Sequence, residues 1–230
     1  ASVKYIYMIT DLIQDLTRLG LARSEFPMDI TQNTDVFVEV SGLLKSCSVN
    51  LLKISNDLRL LASGPKGGFG ELNLPKKQAG STIMPGKVNP VIPEMVAQVA
   101  MRVIANDAAI TMASSSGQLE LNAFLPLIAE SLLESLELLS DVVILFRERC
   151  IEGITVNEEK CKENLESSTA LVTALVHHIG YDRASEIAKK ALREEKTIRE
   201  LLKEENLLEE EEIDKILNPY EVTKPGIPGK

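Results

Sequence analysis

From Leu125 to Cys150, the residues Leu125, Ile128, Leu132, Leu136, Leu139, Val143, Phe146 and Cys150 recur at gaps of three or four. A strand brings every second residue to one face, whereas a helix of about 3.6 residues per turn gathers these positions into one stripe. The stripe is close to a heptad seam, the packing pattern of long bundle helices. Val36, Val40, Leu44, Cys47, Leu51, Ile54, Leu58 and Leu61 repeat it in a second long segment, from about Asp35 to Ala62. Two such helices commit the chain to a helix-on-helix core. The composition fits, with 44% hydrophobic residues but only 4% aromatics and no Trp, so the core must be Leu, Val, Ile and Ala. The expectation is an all-α protein, with part of a long-helix bundle at 1–150 and a small helical C-terminal domain at 151–230. Leu43, Leu52, Leu60, Leu133 and Ile144 lie off the seams, so both helices need neighbours on more than one side. A bundle buried within one chain and helices shared between chains both satisfy that need.

The remaining segments follow from local signals. Tyr5, Met8, Leu12, Leu16 and Leu19 form a helical stripe near the start, with no evident N-cap. A pattern that begins in mid-helix suggests a piece of something longer. Pro27 blocks continuation of this helix, and Ser63-Gly64-Pro65 stops the second long one. Asn89 and Pro90 read as the N-cap and first position of a third long helix, with Ile92, Met95, Val96, Val99, Val103 and Ile110 on its apolar face. Asn106 and Asp107 inside it read as buried structural hydrogen-bonders. Asp182 and the Thr197–Glu200 capping box open later helices, and residues 209–212 read as a solvated acidic helix start. His177 and His178 read as an uncharged turn pair, and the Pro- and Gly-rich tail as extended or frayed.

Charge excludes one class of function. Acidic residues outnumber basic ones 34 to 25, a net charge of -9, which opposes nucleic-acid binding while allowing a small basic pocket for an anion. No apolar run reaches the roughly 18–20 residues of a membrane span, and no signal peptide is evident. Cys47, Cys150 and Cys161 are odd in number and far apart, without metal spacing, as expected of reduced, mostly buried thiols in a cytosolic protein.

A glycine-rich region, Gly64 to Asn89, separates the second and third long helices and is long for a connection, as functional or disordered loops are. It ends in GSTIMPGKVNP, residues 80–90. Gly80 and Gly86 allow sharp turns and close approach to a ligand. Ser81 supplies a hydroxyl, Lys87 a positive charge, and the helix start beyond Asn89 favours an anion. These features describe a carboxylate site, and equally an ordinary surface turn with a Ser and a Lys in it.

The literal string resembles the signature of the fumarase/aspartase superfamily, roughly Gly-Ser-Ser-x-Met-Pro-x-Lys-x-Asn-Pro, departing from it at Thr82, where the hydroxyl is kept. NDLRLLASGPKGGFGELNLP before it, NPVIPEMVAQV after it, QNTDVFVEVSG, GQLELN and ILNPYEVTKPGIPGK extend the likeness, most closely to the aspartate ammonia-lyase family, over essentially the whole chain. The resemblance implies a cytosolic homotetramer that converts L-aspartate to fumarate and ammonia without an organic cofactor or a metal. Fumarate hydratase chemistry is the nearest alternative, and an inert oligomerising helical fragment the other. It implies that Ser81 is the base and Glu94 the partner of a histidine upstream of this chain. Thr82, Lys87, Val88 and Asn89 would contact the dicarboxylate substrate. Gly80, Ile83, Met84, Pro85 and Gly86 would form a closing loop. Neither a nucleic acid nor a membrane is expected as a partner.

Overall fold

The computed structural model describes residues 1–78, 84 and 86–230. Among the described residues are eleven α-helices, two short 3-10 helices and one antiparallel strand pair, so the chain is all-α. It divides into two units, Ala1–Arg59 with Pro75–Gly153, and Leu60–Leu74 with Ile154–Lys230. Residues 60–74, which a single cut after residue 150 would leave in the first part, thus fold with the second.

The first unit is built on three long helices. Before them, α1 (Val3–Thr17) buries none of its residues. Its N-terminus does have a cap, contrary to expectation, since Ser2 accepts a 3.2 Å hydrogen bond from the Tyr5 amide. α1 ends ten residues before Pro27, where Arg18 takes the left-handed conformation (φ 54°), and Pro27 instead opens the short α2 (Pro27–Gln32), because the first helical position has no use for the missing N–H.

The second long segment is α3 (Asp35–Leu61), but its inward face is not the predicted one. It buries Ser41, Ser48 and Ser55, each seven residues from the next, while Val36, Val40 and Ile54 of the leucine-type seam stay exposed. Polar groups join α3 to α4 (Val91–Ser114). Ser41 Oγ donates to Asp107 Oδ1 (2.8 Å) and Lys45 Nζ to Asp107 Oδ2 (2.5 Å). Just before α3, Thr34 Oγ1 lies 2.6 Å from Ser114 Oγ. Buried Asn122 closes the same end, its amide donating to the carbonyls of Ala113 and Ser114, each at 3.2 Å.

The apolar core of this unit comes from α4 and α5 (Leu125–Arg149). Val96, Ala100, Val103 and Ile110 are buried on one side, Ile128, Leu139, Val142 and Phe146 on the other. Predicted seam members Leu136 and Val143 are instead 43% and 45% exposed, and Ser135 and Val142 take the inward places. The cause is polar: Asn106 on α4 donates to the Ser131 carbonyl (3.3 Å), Ser135 Oγ (3.1 Å) and Glu134 Oε2 (2.7 Å), which rolls α5 toward its serines.

In the second unit, residues 63–70 close on themselves rather than forming part of one long loop. The Gly70 amide donates to the Ser63 carbonyl (2.7 Å). A Cβ on Gly68 would meet the Ser63 carbonyl carbon and oxygen at 2.6 Å, so glycine is required there. The loop feeds β1 (Leu72–Asn73), which pairs antiparallel with β2 (Thr155–Val156). Then come α6 (Glu158–Glu166), α7 (Val172–Ile179), α8 (Tyr181–Glu194), α9 (Ile198–Glu204), α10 (Glu210–Ile216) and α11 (Pro219–Thr223). Leu175, Ile187, Ile198, Leu201, Leu202 and Ile213 form their core.

Local expectations here meet mixed outcomes. The Thr197–Glu200 box is formed in both directions, at 3.2 and 2.8 Å. Asp182 lies inside α8 and does not cap it; Gly180 stands at that position. His177 and His178 end α7 rather than sit in a turn, with His178 Nε2 2.8 Å from the Pro228 carbonyl. The tail begins as a helix because Asn218 caps α11 by accepting from the Tyr220 amide (2.9 Å). Of the three cysteines only Cys150 is buried; all three are free thiols.

Candidate functional site

The signature segment runs into the N-terminal end of α4. Within it Gly80, Ser81, Thr82, Ile83 and Pro85 lie outside the described residues. From Met84 onward a turn is defined: the Lys87 amide donates to the Met84 carbonyl (3.2 Å), and Gly86 has φ +82°. A positive φ is a conformation that glycine adopts without steric cost. Gly86 is thereby explained by backbone geometry, and Lys87 is delivered, exposed, just before the helix.

Asn89 is exposed and its carbonyl accepts from the Val91 amide (2.9 Å). Pro90, not Asn89, holds the capping position, and no side chain caps α4. With the Val91 amide engaged and no N–H on Pro93, the first turn offers an anion mainly its dipole and the Ile92 amide. The expected row of free N–H groups is therefore shorter than the helix start alone suggests. Val88 is partly exposed beside Lys87.

Glu94 sits in the first turn of α4, its carboxylate half-exposed. Opposite it stands Arg59, from the last turn of α3, with Nη2 3.9 Å from Glu94 Oε1. Arg59 Nη1 also donates to Asn56 Oδ1 (3.3 Å), one turn back. In the sequence Arg59 lies within the family-like string NDLRLLASGPKGGFGELNLP. The Asn56/Arg59 spacing of three, on a helix leading toward the signature, was the available signal.

The described part of the site thus holds Lys87, Val88, Asn89 and Glu94 together at one helix end, with Arg59 across from it. Asn106 and Asp107 are structural, as expected, each hydrogen-bonded within the bundle. Asn106 and then Arg102 hold the Glu134 carboxyl below the usual range. Burial pushes the Cys150 thiol up, which suits a packing role and not a nucleophile. Among the described residues, no three His, Cys, Asp or Glu side chains are grouped to hold a metal ion. Nor is any described helix long and apolar enough to cross a membrane.

Residues 2–105 match the family model described as "Lyase", and residues 171–224 the one described as "Fumarase C C-terminus". Aspartate ammonia-lyase of Bacillus subtilis is 45% identical over 230 residues, 100% of this chain and 48% of its own length. Aspartate ammonia-lyase of Pseudomonas fluorescens is 51% identical over 200 residues, covering 87% of this chain and 42% of its own. Among solved structures, a fumarate lyase:delta crystallin from Brucella melitensis superposes with a TM-score of 0.87 at 44% identity, over 98% of this chain and 49% of that one. A class II fumarase from Schistosoma mansoni gives 0.83 at 36% identity, over 95% and 48%. The chain spans about half the length of the curated relatives it matches.

Proposed function

Since the chain belongs to the fumarase/aspartase superfamily of lyases, we propose that it supplies the signature-loop part of an active site that eliminates ammonia from L-aspartate to give fumarate. The observation that carries this is the joining of GSTIMPGKVNP, through the Gly86 turn, to the uncapped start of α4. Identities of 45% and 51% to aspartate ammonia-lyases support the choice of substrate.

The chemistry sets what the residues must do. The proton to be removed is on the carbon beside the β-carboxylate and is very weakly acidic. Its loss places a second negative charge on that carboxylate, so the site needs a strong base at carbon and fixed positive charge at oxygen. In this reading Ser81 Oγ, as an alkoxide, takes the proton. The C–H electron pair moves into the carboxylate, then returns to form the carbon–carbon double bond as the C–N bond breaks and ammonia leaves. Lys87 and Asn89 hold the β-carboxylate and gain strength as its charge grows. Thr82 and Val88 line the substrate, and Glu94 orients a proton-carrying partner contributed from elsewhere. Residues 80–86 close over the substrate and exclude water. The working enzyme in this reading is a cytosolic homotetramer with shared sites and no organic cofactor.

The likeness to a class II fumarase favours a second reading, the same machinery acting on malate with water as the leaving group. Fumarate absorbance separates the two. A complete lyase carrying this chain should form fumarate from L-aspartate and much more slowly from L-malate; the reverse preference assigns it as a hydratase. In this reading these 230 residues should be inert alone, because they correspond to about half the length of the relatives and positioning by a whole site supplies roughly 7–11 kcal/mol of such barriers. Turnover by the chain alone would overturn that division of the site.

A further inference from the structure

Arg59 and Glu94 lie on different helices, one near the end of α3 and the other in the first turn of α4. The Arg59 side chain is anchored within its own helix, whereas in Glu94 only the backbone carbonyl is engaged there. Arg59 Nη1 donates to Asn56 Oδ1 at 3.3 Å, and the Glu94 carbonyl accepts from Gln98 Nε2 at 3.2 Å. Between them, Nη2 and Oε1 face each other at 3.9 Å, beyond hydrogen-bond reach and at the outer limit of an ion pair. The side chains are 41% and 38% exposed, and a pair that open contributes little to stability. What it does contribute is direction. With Oε1 turned toward the guanidinium, Oε2 is the oxygen left for a proton-carrying partner.

We propose that Arg59 is a positioning residue: from α3 it orients the Glu94 carboxylate of the active site proposed above, an inference that rests on that reading. The fork of the guanidinium matters here, because one arm is held by Asn56 while the other faces Glu94. An ammonium at the same place keeps the charge but cannot hold both partners in one plane. Arg59 touches no reacting atom in this account and acts only through Glu94.

Two measurements test this. In the complete lyase, Arg59→Gln should lower kcat at least about tenfold while KM stays within about twofold, because misplacement of a catalytic group is read in turnover and not in substrate affinity. Arg59→Lys should recover part of the loss, and Arg59→Gln should cost nothing further in a Glu94→Gln background. The urea midpoint should not move. Independently of activity, amide exchange at Val91–Met95 should quicken several-fold in Arg59→Gln and not elsewhere in α4. Unchanged kcat, losses that add to those of Glu94→Gln, or unchanged exchange at Val91–Met95 would each overturn the assignment. If the unsubstituted lyase turned over neither aspartate nor malate, the functional reading would fall, and the exchange measurement would still decide whether Arg59 orders this helix start.

Discussion

Ser41 Oγ on α3 donates a 2.8 Å hydrogen bond to Asp107 Oδ1 on α4, and Lys45 takes the other carboxylate oxygen. The carboxylate is buried while the lysine is half-exposed, so the charge of Asp107 is compensated from one side only. Asp107→Ala leaves the Ser41 hydroxyl unpaired and lets Lys45 hydrate. A loss of about 1–3 kcal/mol is expected, read as a lower urea midpoint. An unchanged midpoint would mean that α3 is held to α4 by something other than this polar contact.

Ser55 presents the opposite case. Its hydroxyl is fully buried and has no hydrogen-bond partner among the described residues. Removing an unsatisfied buried hydroxyl relieves a desolvation cost of about 1–3 kcal/mol, offset by a small hole. Ser55→Ala should therefore hold or raise stability, by up to about 1 kcal/mol. A clear fall in the urea midpoint would contradict the unpaired state.

Acid should destabilise the fold in a defined window. The carboxyls of Glu134, Glu194, Glu200 and Glu205 are held below the usual range, chiefly by Asn106, Arg193, the Thr197 backbone amide and Lys190 respectively. A depressed folded-state pKa means that the unfolded chain binds more protons, so stability is complete above the ordinary carboxylate range and falls as pH drops through the folded values. Urea midpoints should be flat near neutrality and decline on acidification, less steeply in Glu205→Gln. A decline that begins near neutrality, or is unaffected by Glu205→Gln, would point to other groups.

Exposed apolar surface on the long helices leads to the next expectation. Leu43 on α3 and Leu133 on α5 are 68% and 64% exposed, and Ile144 is open as well. Large apolar side chains left open along long helices are expected to be covered by association. Light scattering should find the chain as a dimer or tetramer, shifted toward monomer by Leu133→Lys with Ile144→Lys. A concentration-independent monomer without substitution would refute self-association.

The helices themselves were legible because period and length leave no other solution: α3 and α5 match their predicted spans almost to the residue. Which face points inward was not. Ser41, Ser48 and Ser55 are polar yet buried, and Ser41 is drawn inward by Asp107 on α4. In α5, Asn106 on a neighbouring helix draws Ser131 and Ser135 inward and turns Leu136 out. Neither effect can be read along a single helix. At the candidate site, Lys87 and Asn89 lie in the signature string and Glu94 in the NPVIPEMVAQV run that follows it. Arg59 is not legible in this way, since its partner is distant in sequence, and the cap falls on Pro90, one residue past Asn89, whose carbonyl accepts from the Val91 amide.

Ser81 is proposed above as the base of an aspartate-eliminating site built on this loop. The most direct measurement is the initial rate of fumarate formation from L-aspartate by the complete lyase, with Ser or Ala at position 81 and the same oligomeric state confirmed for both. Loss of the base should reduce kcat by roughly 10²–10⁴-fold, about 3–5 kcal/mol of barrier, with the fold untouched. A Ser81→Ala enzyme that kept near-normal kcat would contradict the account.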